Sequence, residues 1–159
     1  MSERILIPLD GSELGEAALR YIEDLVSRIS SEKKVEITLF HVVTALTHDV
    51  RIKGGGAGSI TVPYSESDLE RMKTDAMKYL DKAGENLKSK GASVSAKVAT
   101  GQNPADEIIK AEEEINADLV AMSTHGRAGI SRWAFGSVTD KVLRGGKVPV
   151  LMVRARVKH

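Results

Sequence analysis

Residues 4–43 read RILIPLDGSELGEAALRYIEDLVSRISSEKKVEITLFHVV, a β-rich run, a helical period and a second β-rich run. Arg4–Leu9 is apolar almost throughout, as a strand covered on both faces tends to be. Ser12 offers an N-cap, and Leu14, Ala18, Tyr21, Ile22, Leu25 and Ile29 recur at helical spacing. Val35–Val43 alternates at first and is then fully apolar, which reads as a second strand. Strand, helix-length crossover and strand is the unit of a parallel sheet, joined right-handedly.

The unit repeats down the chain. Leu69, Met72, Ala76, Leu80, Ala83 and Leu87 mark a long second helix that Gly91 stops. Ser93–Thr100 is a third, more amphipathic strand. Asn103-Pro104 starts a helix: the Asn side chain caps, and proline sits where its missing N–H costs nothing. Ile108, Ile109 and Ile115 give that helix a buried face, Asp118–Met122 is a fourth strand, Gly136–Leu143 a fourth helix and Val148–Val153 a fifth strand. The fold class is α/β, an open doubly wound five-stranded parallel sheet, whose ligands bind beyond the carboxyl ends of the strands.

Composition bounds what such a sheet can do. With 159 residues, 42% of them hydrophobic, the chain makes a single domain, residues 1–159, with a sizeable core. Twenty-three basic residues against twenty-two acidic ones leave no field for nucleic acid or an anionic membrane. Cysteine is absent, which removes disulfides, thiolate metal sites and cysteine nucleophiles. The N-terminus MSERILIPLD lacks a signal-peptide pattern, and no run approaches the eighteen or so apolar residues of a spanning helix. The expectation is a soluble, cytoplasmic protein.

Two segments interrupt the alternation. Thr44–Ser65 reads as a long irregular connection, flexible or lid-like, holding Gly54-Gly55-Gly56-Ala57-Gly58-Ser59. With no Lys-Ser/Thr behind it, that glycine run is not a P-loop. Ser123–Phe135 separates a strand from a helix by more than the junction needs, and this is the natural place for a site. Gly126 lets backbone amides approach a phosphate, and Gly136-Ser137 opens a helix whose N-terminus favours an anion. Amide bonds to a charged acceptor contribute roughly 1.5–3 kcal/mol each. Ser137 can cap the helix and donate to a phosphate oxygen, with Arg127 or Arg132 supplying charge.

Gly126, nine residues and then Gly136-Ser137, inside a THGRAG–GS–T–KVLR stretch, resemble the universal stress protein family in its nucleotide-binding branch. ILIPLDGSE near the N-terminus, HVV ending the second strand and the terminal VPVLMV are similar to the family too. The departure is Ser123, where the family's motif begins with glycine. The resemblance implies an adenine-nucleotide alpha hydrolase-like sheet of order 3-2-1-4-5, with adenosine between the ends of the first and fourth strands. By matching position, Pro8, Leu9 and Asp10 then line the adenosine pocket, Val42 contacts adenine and Met122 forms the opposite wall. Gly126, Arg127, Gly136, Ser137, Val138 and Thr139 hold the phosphates, and Ser123, His125 and Gly129 belong to the same candidate site. ATP is the implied ligand, with Mg2+ or Mn2+ on its phosphates, in a homodimer. Val148–Val153, apolar on both faces at a sheet edge, is a pairing strand on independent grounds.

Plainer readings stand beside these. Asp10 serves as a turn or helix cap as readily as a ribose partner, and Ser12 is a cap rather than a nucleophile. His125 has no second histidine or carboxylate pair to make it a base or metal ligand. Trp133 and Phe135 pack the loop onto the domain. Gly145-Gly146-Lys147 follows a helix and precedes a strand, so it is a cap and turn, and Glu112-Glu113-Glu114 reads as a solvated face. The leading expectation is a nucleotide-responsive stress regulator or tolerance factor that works by binding, with no catalytic residues. Slow ATP hydrolysis or phosphotransfer and a dimeric interaction protein that binds no nucleotide remain as alternatives.

Overall fold

Most apolar runs among the described residues occupy a strand or a helix face, and the elements follow in this order. They are β1 (Ser2–Pro8), α1 (Ala17–Arg28), β2 (Lys34–Val43), β3 (Thr47–Arg51), β4 (Ser59–Pro63), α2 (Glu66–Ala83) and α3 (Glu85–Ser89), then β5 (Ser93–Thr100), α4 (Pro104–Glu114), β6 (Leu119–Thr124), α5 (Ser137–Gly145) and β7 (Val150–Arg154). This computed structural model describes residues 2–29, 31–44, 46–54, 58–124 and 136–155. Five strands pair in parallel in the order β5-β2-β1-β6-β7, which is 3-2-1-4-5 when only the strands of this sheet are counted.

Alternation along the strands divides the core between the two faces. Ile5, Ile7, Leu9, Ile37 and Leu39 pack with Ala18, Leu19 and Ile22 of α1 and Leu80 of α2. Leu6, Phe40, Val120 and Met122 enter a second cluster with Ala105 and Ile108 of α4 and Val142 of α5. Burying a side chain such as Leu6 or Ile7, both at 0% exposure, stabilises by roughly 1.5–3 kcal/mol. The chain winds outward from β1 to β2 and β5 over one face, then returns to β6 and β7 over the other. Strand order therefore reverses between β1 and β6, and a crevice opens there.

Local signals act where the sequence places them. Ser65 accepts a hydrogen bond from Asp68 N at 3.2 Å and Asn103 from Asp106 N at 3.4 Å, capping α2 and α4. Gly91 has φ +94°, a left-handed conformation that ends α3 with little strain.

Four expectations need correction. The segment 44–65 is not wholly irregular: β3 and β4 form an antiparallel hairpin, since His48, Val50, Ile60 and Val62 alternate with polar residues. Residues 45 and 55–57 lie outside the described residues. The long second helix breaks at Gly84, where a Cβ would stand 2.9 Å from Val94 Cγ1 and 3.2 Å from Leu39 Cδ1. The fourth strand runs on through Ser123 and Thr124. Glu112 is buried at 1% exposure rather than solvated, accepting from Lys147 N at 2.7 Å. Its neighbours Glu113 and Glu114 do face solvent, paired with Lys147 and Lys97. No helix among the described residues is long and apolar enough to cross a membrane.

Candidate functional site

The paired stretch of β1 and β6 is short, joining Ile5 to Leu119 and Leu6 to Val120. Past it the two strands diverge, and a cavity of about 920 Å3 opens at their carboxyl ends. That volume lies near the top of the ~300–1,000 Å3 range of small-molecule sites. Pro8, Leu9 and Asp10 line it from the end of β1, Val42 from β2, and Met122 and Ser123 from β6. Gly136, Ser137, Val138 and Thr139 line it from the start of α5. All the described residues singled out in the sequence thus meet around one space. His125, Gly126, Arg127 and Gly129 lie outside the described residues.

One wall was not foreseen. Met72, Asp75, Ala76 and Tyr79 of α2 border the cavity, as do His41 of β2 and Ile108 of α4. Met72, Ala76 and Leu80 share a helical spacing that reads simply as core face. The same stripe gives core at Leu80 and cavity wall at Met72 and Ala76, so periodicity alone does not separate the two roles.

The turn after β1 is built by side-chain caps. Asp10 Oδ1 accepts from Ser12 N at 2.9 Å and from Ser12 Oγ at 2.6 Å. Ser12 Oγ in turn accepts from Gly15 N at 3.0 Å, inside the 3-10 turn Leu14–Glu16 that leads into α1 and whose N-cap is Glu13. Gly15 has to be glycine here, because a Cβ would run into the Asp10 carboxylate and stand 3.0 Å from Ser12 Oγ. These bonds make Asp10 and Ser12 part of the turn that leads into α1.

Ser123 closes the same corner from the other side. Its hydroxyl donates to Gly15 O at 2.7 Å and accepts from Ala18 N at 2.9 Å. Glu16, at the N-cap of α1, makes no side-chain cap bond, so an oxygen from β6 satisfies a first-turn amide instead. Ser123 borders the cavity, yet both hydrogen bonds of its hydroxyl go to protein backbone.

Two further contacts tie the walls together. Tyr79 Oη donates to Glu16 Oε1 at 2.7 Å, and Arg20 lies 3.6 Å from the same carboxylate. Burial raises the Tyr79 phenol above the usual tyrosine range, and the Glu16 hydrogen bond and the charges of Glu16 and Asp10 add to it. His41 Nδ1 stands 2.7 Å from Leu9 O; a carbonyl only accepts, so Nδ1 carries the proton. The charged side chains among the described lining residues are Asp10 and Asp75, both acidic. Positive potential comes from α5, whose N-cap is Gly136 with no side-chain cap bond; Ser137 follows it as the first helical residue rather than serving as the cap. The first-turn amides and about half a unit of positive charge at such a helix end favour an anion. Among the described residues, no group of three or more metal-ligating side chains is assembled.

The crevice at the strand reversal is lined by apolar side chains together with the N-terminus of α5. The Universal stress protein family model matches residues 1–154. The chain belongs to the universal stress protein family. It is 28% identical over 156 residues to universal stress protein YxiE of Bacillus subtilis, covering 97% of this chain and 100% of that one. It is 27% identical over 162 residues to universal stress protein MJ0577 of Methanocaldococcus jannaschii, covering 98% and 97%. A solved structure of MJ0577 superposes with a TM-score of 0.70 over 98% of each chain, at 23% identity. More distant neighbours of the same fold include universal stress proteins solved with dAMP, from Archaeoglobus fulgidus (18% identity, TM-score 0.59, covering 96% of this chain and 98% of that one), and with AMP, from Arabidopsis thaliana (18%, TM-score 0.61, covering 98% and 93%).

Proposed function

We propose that this universal stress protein binds ATP in the cavity between β1 and β6 and acts as a nucleotide-responsive regulator or tolerance factor. One observation carries the reading. The residues singled out for adenosine (Pro8, Leu9, Asp10, Val42 and Met122) and for phosphate (Gly136, Ser137, Val138 and Thr139) border one cavity, which includes the N-terminus of α5. The AMP and dAMP held by neighbours of the same fold support the adenine part. A divalent Mg2+ or Mn2+ would ride on the phosphates, because the described lining offers it only Asp10 and Asp75.

Binding rather than turnover is the mechanism. The adenine would lie among Val42, Met122 and Ile108, while α5 amides would donate hydrogen bonds to the phosphate oxygens in place of water. Asp10, held by Ser12, would face the sugar. Occupancy favours whichever arrangement of the cavity walls binds nucleotide better, and that shift is the signal. A homodimer through β7 belongs to the same proposal: this strand ends the sheet, and Val150, Leu151, Met152 and Val153 are only half-buried. The reading places the protein in the cytoplasm.

Chromatography of the nucleotide released by denaturing freshly purified protein tests the ligand. Recovery of ATP in near-stoichiometric amount is the expected result; an adenylate other than ATP, or none after incubation with excess Mg-ATP, overturns it.

A further inference from the structure

Five methionines and no cysteine make thioethers the sulfur that an oxidant meets in this chain. Met72 of α2 and Met122 of β6 both border the cavity. Met122 is buried at 6% exposure, whereas Met72 is only half-buried. Met77, on another face of α2, is 36% exposed and does not border the cavity. The α2 wall thus holds one thioether that a small oxidant can reach from solvent and that an occupant of the cavity would cover.

We propose that Met72 is an oxidation site through which a peroxide lowers the affinity of the cavity for nucleotide, an inference that rests on the nucleotide reading above. The sulfur lone pair attacks one peroxide oxygen, and the S–O bond forms as the O–O bond breaks. The hydroxyl proton passes to the departing oxygen, which leaves as water; the sulfur is oxidised by two electrons and the peroxide reduced by two. A flexible apolar side chain becomes a polar one whose oxygen seeks a donor. The wall around Met72 offers none. Tyr79 Oη already donates to Glu16, and Asp75 is a carboxylate. His41 places its Nδ1 proton on Leu9 O, so in the neutral ring Nε2 only accepts. The flanking Arg71 and Lys73 are paired with Asp68 and Glu70. The sulfoxide oxygen therefore turns to the water of the cavity, into space that a nucleotide would fill.

Nucleotide-stripped protein is treated with hydrogen peroxide; peptide mass spectrometry reads which thioether has taken oxygen, and equilibrium dialysis against Mg-ATP reads the affinity. In the free protein Met72 is expected to oxidise on a time course close to that of Met77. Mg-ATP slows Met72 at least about fivefold and leaves Met77 unchanged. Oxidation lowers the affinity of the parent and of Met77→Leu about tenfold against their own untreated forms, whereas treated and untreated Met72→Leu bind alike. Affinity that survives full oxidation of Met72 overturns the proposal, and so does Met72 left intact while Met77 is consumed. An equal loss in Met72→Leu overturns it too, moving the effect to Met122. A parent that binds no Mg-ATP before peroxide is added defeats the nucleotide reading itself and this inference with it, so the two failures are told apart.

Discussion

Ser123 Oγ accepts the amide hydrogen of Ala18 at 2.9 Å across 105 residues of chain, capping α1 with an oxygen from the end of β6. The same hydroxyl donates to Gly15 O at 2.7 Å, so one atom joins the turn after β1, the first turn of α1 and the cavity wall. Serine at this position, where the family motif has glycine, thus has a structural use inside the protein.

That use is measurable. Ser123→Ala leaves the Ala18 amide and the Gly15 carbonyl unpaired in a buried place, which costs about 1–3 kcal/mol. Chemical denaturation is expected to show a lower midpoint at unchanged slope. Because the hydroxyl is directed at backbone, the nucleotide affinity of the folded variant should stay near that of the parent; a large loss of affinity with stability unchanged would reverse the assignment.

Gly15→Ala acts on the same corner by crowding. The new Cβ meets the Asp10 carboxylate, which must move and give up its bond to Ser12. Overpacking of this kind costs typically about 1–3 kcal/mol. A melting temperature equal to the parent's would show that the turn yields freely.

Tyr79 and Glu16 give a pH signature. The folded phenol holds its proton above the ordinary tyrosine value, for burial first and the Glu16 hydrogen bond second. The folded state therefore binds more protons than the unfolded one above about pH 10. This contribution is fully present below that pH and is lost as pH rises beyond it. Thermal unfolding between neutral and strongly alkaline pH should fall less steeply for Tyr79→Phe than for the parent.

Glu112 holds the turn before β7. Its carboxylate accepts from Lys147 N, and Gly146 leaves the room, since a Cβ there would lie 2.8 Å from Oε1. Glu112→Ala removes the acceptor and should cost about 1–3 kcal/mol. Glu112→Gln keeps an acceptor oxygen and should cost less; equal losses from both would mean that the charge, not the hydrogen bond, matters.

The sheet was legible because its signals are local and repeated. Runs such as Arg4–Leu9 and Val35–Val43, separated by stretches of helical period, need no knowledge of the rest of the chain. The cavity was legible at Pro8–Asp10, Met122 and Gly136–Thr139, which sit at strand ends and at a helix start. What stayed hidden depends on contacts between distant segments. Nothing near Glu112 in sequence announces that Gly146 makes room for its side chain. The α2 wall at Met72 and Tyr79 looks like any core stripe, and the hairpin's alternation at His48–Ile52 was masked by the glycine run beside it.

The central claim is that phosphate is held at the start of α5, and Gly136 isolates it. A Cβ built on Gly136 meets nothing within 4 Å among the described residues, and its φ is −54°, which a side chain tolerates. Gly136→Val should cost no more than about 1 kcal/mol of stability, the loss of a favourable N-cap residue. The deciding measurement is equilibrium dialysis of nucleotide-stripped protein against Mg-ATP, parent and Gly136→Val side by side. Saturable binding of one ATP per chain in the parent, weakened at least about tenfold in the folded variant, is the predicted result. No saturable binding in the parent at millimolar ATP, or equal binding by both, would contradict the account.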